Sequence, residues 1–192
     1  MKKNLFLCLL LFSNSSFSSY QFETVLDNLD DAWSFVFLSE DKILYTEMPG
    51  KLKIASLSDK TIKNIDNVPS VQYSGQGGLS EVALDPEFES NQKIYFSYSS
   101  KDKNGKSTLF LSSAELRNNA LVNSKVIFKA NAPRRSPVHL GAKIAFLKDG
   151  TLLLASGDGF DHREQAQTLD NHFGKIIRIN KDGSIPKDNP FI

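Results

Sequence analysis

Cysteine is almost absent: the 192 residues hold one, Cys8, inside an apolar run near the N-terminus. The body of the chain therefore has no thiol, which excludes disulfides, thiolate metal sites and cysteine nucleophiles. Neither sign of charge dominates, with Lys+Arg 23 against Asp+Glu 22. There is no basic excess to attract nucleic acid and no like-charge block to serve as an interaction tail. Prolines are few, 7 against 14 phenylalanines, a balance that favours a packed core over disorder. Long hydrophobic stretches are missing as well. The apolar run from Leu5 to Phe12 is too short to span a bilayer. It follows Lys2-Lys3 and precedes small polar residues up to Ser19, the layout of a cleavable secretory leader, not of a stable membrane anchor. Residues 1–19 are thus expected to be a signal peptide directing export to the periplasm, and residues 20–192 to form one domain.

Beyond residue 20 no long amphipathic helix is visible; what recurs is strand, turn, strand. One unit runs through Ser34–Leu38, Lys42–Glu47 and Lys51–Leu57, and a second through Glu81–Leu84, Lys93–Ser99 and Thr108–Glu115. A third comprises Ala142–Leu147, Thr151–Ser156 and, after the polar insertion DHREQAQTLDNH, the segment GKIIRINKDGS. Equivalent positions Phe35, Val82 and Ile144 lie 47 and 62 residues apart. The expected class is all-β, with about three blades of a β-propeller; a β-sandwich or an open meander shares this strand grammar. In a propeller the segments entering the inner strands, here Asn28–Trp33, Ser74–Leu79 and Ser136–Gly141, gather at one end of the channel. Trp33 is expected in the core. Three blades leave unpaired edges, so the chain is expected to be part of a longer protein or to close by association.

The chemistry concentrates in VHLGAKIAFLKDGTLLLASGDG, Val138 to Gly159. The Asp149-Gly150 pair suits a tight reversal, and the midpoint of 139 and 158 falls between Lys148 and Asp149. Antiparallel pairing then puts His139 and Asp158 together at the open end of the hairpin. A carboxylate beside an imidazole fixes its tautomer and stabilises the imidazolium, making the histidine a better proton acceptor. A strand-capping histidine and an ordinary Gly-Asp-Gly turn would give the same residues. Gln76, in Gly75-Gln76-Gly77-Gly78, stands before the second unit's inner strand as His139 stands before the third's, and should face the same end of the channel. Other polar residues offer less. His162 and His172 lack metal-ligand spacing, and the insertion around them reads as a solvated loop. Asp27, Asp30 and Asp31 lack the spacing of a calcium loop. Ser112 and Ser113 lack the glycine-framed turn of a hydrolase nucleophile.

Several runs, in order, resemble a known family. Gly75-Gln76-Gly77-Gly78-Leu79 leads into Val82-Ala83-Leu84-Asp85-Pro86-Glu87-Phe88. His139 stands before Gly141, and Gly157-Asp158 closes the hairpin. Then come Ala166-Gln167, His172-Phe173-Gly174-Lys175-Ile176-Ile177-Arg178-Ile179-Asn180, and Asp182-Gly183-Ser184-Ile185-Pro186-Lys187-Asp188-Asn189-Pro190-Phe191. From about residue 26 onward the chain is similar to the N-terminal half of the soluble PQQ-dependent sugar dehydrogenases, the glucose/sorbosone dehydrogenase family. The resemblance implies a six-bladed propeller and oxidation of an aldose sugar at C1 to the lactone. Hydride would pass to pyrroloquinoline quinone (PQQ), activated by calcium, and electrons then to an external acceptor. It implies His139 as the base for the C1 hydroxyl, Asp158 as its partner and Gln76 as a sugar contact. Residues that hold PQQ and calcium are expected beyond residue 192, so the chain is expected to be inactive by itself. Leu140-Gly141-Ala142-Lys143 departs from the family's common Phe-Gly-Ser-Arg, and lysine does not replace a bidentate arginine. The alternative is a non-catalytic propeller fragment or a carbohydrate-binding module.

Overall fold

Strands separated by short polar turns build up three antiparallel sheets in chain order. The computed structural model describes residues 20–191, so the segment read as a leader lies outside the described residues. The first sheet is β1 (Ala32–Phe37), β2 (Lys42–Glu47), β3 (Lys51–Ser56) and β4 (Ile62–Asn64). The second is β5 (Leu79–Leu84), β6 (Lys93–Lys101), β7 (Ser107–Arg117) and β8 (Ala120–Lys129). The third is β9 (Gly141–Phe146), β10 (Leu152–Ser156) and β11 (Lys175–Ile179). Turn chemistry is local: Ser39 Oγ accepts from the Lys42 amide at 3.1 Å, and Asp149 Oδ1 from the Thr151 amide at 2.9 Å. No helix among the described residues is long and apolar enough to cross a membrane.

Burial lies between successive sheets, which distinguishes propeller blades from a two-layer sandwich. Leu44, Leu52, Leu79, Val82, Ile94, Phe96, Leu116 and Leu121 fill the space between the first and second sheets. Tyr95, Leu109, Leu111, Ile144, Leu152, Leu154, Phe173 and Ile179 do so between the second and third. Two strands escape the sequence pattern. All three residues of β4 are exposed, and β8 runs exposed through Asn123, Ser124, Lys125 and Val126. Both are held by backbone pairing at a sheet edge.

The inner strands share one defect. In β1, β5 and β9 the register slips by one residue at the entry end, between Ala32 and Phe35, Leu79 and Val82, and Gly141 and Ile144. These bulges recur at the spacing of Phe35, Val82 and Ile144, and each frees backbone groups from the ladder. A hydroxyl on the neighbouring strand takes them up. Thr46 Oγ1 accepts from the Ser34 amide at 3.1 Å and donates to the Ser80 carbonyl of the next sheet at 2.6 Å. Ser97 Oγ accepts from the Glu81 amide at 3.2 Å and donates to the Ala142 carbonyl at 2.7 Å. One side chain thus satisfies a bulge in its own sheet and a bulge in the next.

Trp33 is not in the core; it is 48% exposed. Strand alternation sets Ser34 and Val36 toward the second sheet, where the Ser34 hydroxyl accepts from the Val82 amide and Val36 joins the core. Trp33, Phe35 and Phe37 project from the opposite face, which no sheet among the described residues covers.

Candidate active site at the entry of the third sheet

The hairpin of β9 and β10 is centred one half-residue away from the position that sequence symmetry gives. Phe146 pairs with Leu152, Ala145 with Leu153 and Ile144 with Leu154, so its centre is Asp149. A straight ladder would set His139 opposite Gly159. Past the β9 bulge the register shifts by one residue: Gly141 pairs with Ser156, and the Gly157 amide donates to the Leu140 carbonyl at 2.9 Å. His139 then stands opposite Asp158.

They form a hydrogen bond of 2.8 Å between His139 Nδ1 and Asp158 Oδ1. The same carboxylate oxygen accepts from the Phe160 amide at 2.9 Å. That amide, then the His139 ring, holds the Asp158 carboxyl below the usual carboxylate range. An ionised Asp158 accepts, so His139 Nδ1 carries the proton and Nε2 presents its lone pair. The side chains remain partly accessible, at 43% for His139 and 31% for Asp158. Phe160 stands edge-on to the imidazole, with ring centroids 5.2 Å apart, and the Arg163 guanidinium covers Phe160 at 4.4 Å. Chemically, the arrangement is an imidazole with one open nitrogen, oriented by a carboxylate and walled by an aromatic ring, which could accept a proton.

Gln76 reaches this site from the second sheet, as the shared channel end requires. Its amide donates to the Pro137 carbonyl at 2.9 Å, and its Oε1 accepts from the His139 backbone amide at 2.8 Å. The close approach depends on glycine, since a Cβ on Gly77 would lie 2.5 Å from Ser99 Oγ and 2.9 Å from Pro137 Cβ. The first entry segment joins the same end, where the Met48 carbonyl accepts from the Leu79 amide and the Met48 amide donates to the Asp31 carbonyl.

The remaining polar residues do not join the pair. His162 stacks on Phe173 at 4.4 Å, and the insertion forms one 3₁₀ turn, Arg163–Gln167, with no buried residue. His172 Nδ1 accepts from the Asn131 amide at 2.7 Å. Asp30 offers its amide to Glu47, and Ser112 sits 3.4 Å from the Tyr98 hydroxyl. Lys143, at the position where the arginine was expected, bonds Glu81 at 2.6 Å. A cavity of about 400 Å³ at the opposite end of the second sheet, around Asp85 and Lys181, is held by their 2.9 Å ion pair. Among the described residues no group of three or more His, Cys, Asp or Glu could hold a metal ion.

One residue at the site went unread in the sequence. Arg134, in the loop before β9, is 1% exposed and donates from Nη2 to the Gly157 carbonyl at 2.7 Å and the His139 carbonyl at 3.4 Å. Pro133-Arg134-Arg135 has the composition of a solvated loop, and nothing in its spacing marks the middle residue as buried.

Consecutive radial sheets, with an imidazole–carboxylate pair at their entry end, define a β-propeller protein. More narrowly, the chain belongs to the glucose/sorbosone dehydrogenase family, whose model matches residues 29–192. It is 31% identical to the aldose sugar dehydrogenase YliI of Escherichia coli, over 88% of this chain and 46% of that protein. With the quinoprotein glucose dehydrogenase B of Acinetobacter calcoaceticus it shares 26% identity, over 93% of this chain and 43% of that protein. Its fold matches the apo-form crystal structure of the soluble E. coli aldose sugar dehydrogenase with a TM-score of 0.83 at 31% identity, covering 88% of this chain and 50% of that one. The chain spans about half the length of the curated relatives it matches.

Proposed function

We propose that this chain supplies the proton-accepting side of an aldose dehydrogenase that oxidises the sugar at C1 to the lactone. The observation that carries it is the 2.8 Å bond between His139 Nδ1 and Asp158, which leaves Nε2 as the base. Oxidation of the C1 alcohol removes a proton from oxygen and a hydride from carbon. His139 Nε2 takes the proton, and Asp158 stabilises the imidazolium that forms. The Gln76 carboxamide holds the His139 backbone through Oε1, while its Nε2 remains to donate to a sugar hydroxyl. The family and the names of the aldose and quinoprotein relatives support this substrate class.

PQQ, when bound, supplies the hydride acceptor, which an external electron acceptor then reoxidises. The described residues make only part of such a site. Arg134 is committed to backbone carbonyls, and Arg163 lies over Phe160. Among the described residues no group of three or more carboxylates or histidines gathers to hold calcium. Export to the periplasm is part of the proposal and rests on Lys2-Lys3 and the Leu5–Phe12 run.

The test is dye reduction by the full-length protein with aldoses, PQQ and calcium. His139→Ala should lower turnover by about 10²–10⁴-fold, and wild-type turnover in that variant would refute the assignment. Sugar binding without turnover in the unmodified protein would instead identify a non-catalytic carbohydrate-binding propeller.

A further inference from the structure

We infer that Arg134 is a positioning residue for the His139–Asp158 pair, clamping the two strand ends that carry it. The inference goes beyond the proposed reaction and starts from the backbone of His139, whose φ of 47° lies in the left-handed region. A non-glycine residue persists there only when its surroundings over-determine it. Side chains from elsewhere grip both of its peptide groups: Gln76 Oε1 takes the amide at 2.8 Å, and Arg134 Nη2 reaches the carbonyl at 3.4 Å. The same Nη2 donates at 2.7 Å to the carbonyl of Gly157, next to Asp158. A single nitrogen therefore ties both ends of the pair.

Of the other nitrogens, Nε is buried without a hydrogen-bond partner. Nη1 donates to the Ala132 carbonyl at 2.8 Å, and the guanidinium lies over the Phe173 ring at 5.1 Å. The Arg134 backbone is itself anchored, exchanging amide–carbonyl bonds of 2.7 and 2.9 Å with Ser107 at the start of β7. Gly159 makes room, since a Cβ there would sit 2.9 Å from both Arg134 Nε and Phe173 Cε1. No carboxylate forms an ion pair with Arg134 among the described residues. Burial pulls its pKa down to about 10, opposed by the charge of Asp158. An arginine buried without a salt bridge is costly for stability alone; its contacts go instead to the carbonyls framing the site. Lysine, with one nitrogen on a flexible stem, cannot also hold the Ala132 carbonyl that Nη1 takes and so lacks the fork that fixes Nη2 in place.

The test is proton NMR of the full-length chain, following the downfield His139 Nδ1–H resonance of the bond to Asp158. Arg134→Lys and Arg134→Met should each lose or shift that resonance while unfolding cooperatively. The parental resonance at full intensity in either folded variant would overturn the inference. In the unmodified chain the Arg134 Nη protons should exchange slowly and couple across the hydrogen bond to the Gly157 carbonyl carbon. Fast exchange without that coupling would also overturn it, whether or not the variants fold. Dependence of the resonance on Arg134 in a protein with no dehydrogenase activity would sink the proposed function and leave this clamp standing.

Discussion

Gly157→Ala probes the alignment of the site most sharply, because the methyl would point into the partner strand's backbone. Its Cβ would lie 2.1 Å from the His139 carbonyl oxygen and 2.6 Å from that carbonyl carbon, where ordinary contact begins at 3.4 Å. Neither atom belongs to a flexible side chain, so the strand ends must part by about 1 Å or more. Parting them breaks the Gly157–Leu140 and Gly159–His139 backbone bonds, each worth about 1 kcal/mol. Adding about 1–3 kcal/mol of overpacking strain gives a loss of roughly 3–5 kcal/mol. Displacing the base by about 1 Å should also lower turnover by about 10²-fold. The control is Gly150→Ala in the hairpin turn, where a Cβ meets nothing within 4 Å and only its φ of 85° opposes the change. That costs about 1–2 kcal/mol and spares the site. Urea unfolding and steady-state turnover of the full-length protein read both effects. A Gly157→Ala protein no less stable than Gly150→Ala, with unchanged turnover, would refute the bulge-set register.

Ser97→Ala removes the hydroxyl shared between two bulges, leaving the Glu81 amide and the Ala142 carbonyl without that partner. Urea unfolding should show a loss of about 1–3 kcal/mol. Thr46→Val should act alike at the first interface, the two adding within about 0.5 kcal/mol. His172 accepts the Asn131 amide, and burial, with Lys175 nearby, lowers its pKa below 6.5. Between its lowered folded value and 6.5 the unfolded chain binds more protons, so stability is full above that window and falls as pH drops through it. Thermal melts across the window should show this slope, and His172→Gln should flatten it.

The strands of the third sheet were legible because they are short apolar runs and Asp149-Gly150 punctuates them. The His139–Asp158 pairing was legible through a symmetry that places it half a residue off; the bulge at Gly141–Ile144 supplies the correction. A bulge carries little composition signal of its own, so the sequence held the result without its cause. Trp33 misled because its size suggests burial, whereas strand alternation places it with Phe35 and Phe37 on an uncovered face. β4 was silent because edge pairing needs backbone groups and not an apolar pattern; in β8 the exposed run of residues 123–126 splits the apolar residues and breaks the alternation. Arg134 was the largest omission. Its role comes from carbonyls of residues 132, 139 and 157, which converge only after folding.

The central claim is that an ionised Asp158 makes His139 a base, and the most direct measurement is aldose turnover by Asp158→Asn in the full-length protein loaded with PQQ and calcium. The amide keeps the shape of the carboxylate but not its charge, so the imidazolium loses its counter-ion. With folding intact, turnover should fall by about 10²–10⁴-fold; turnover within about twofold of the parent would contradict the claim.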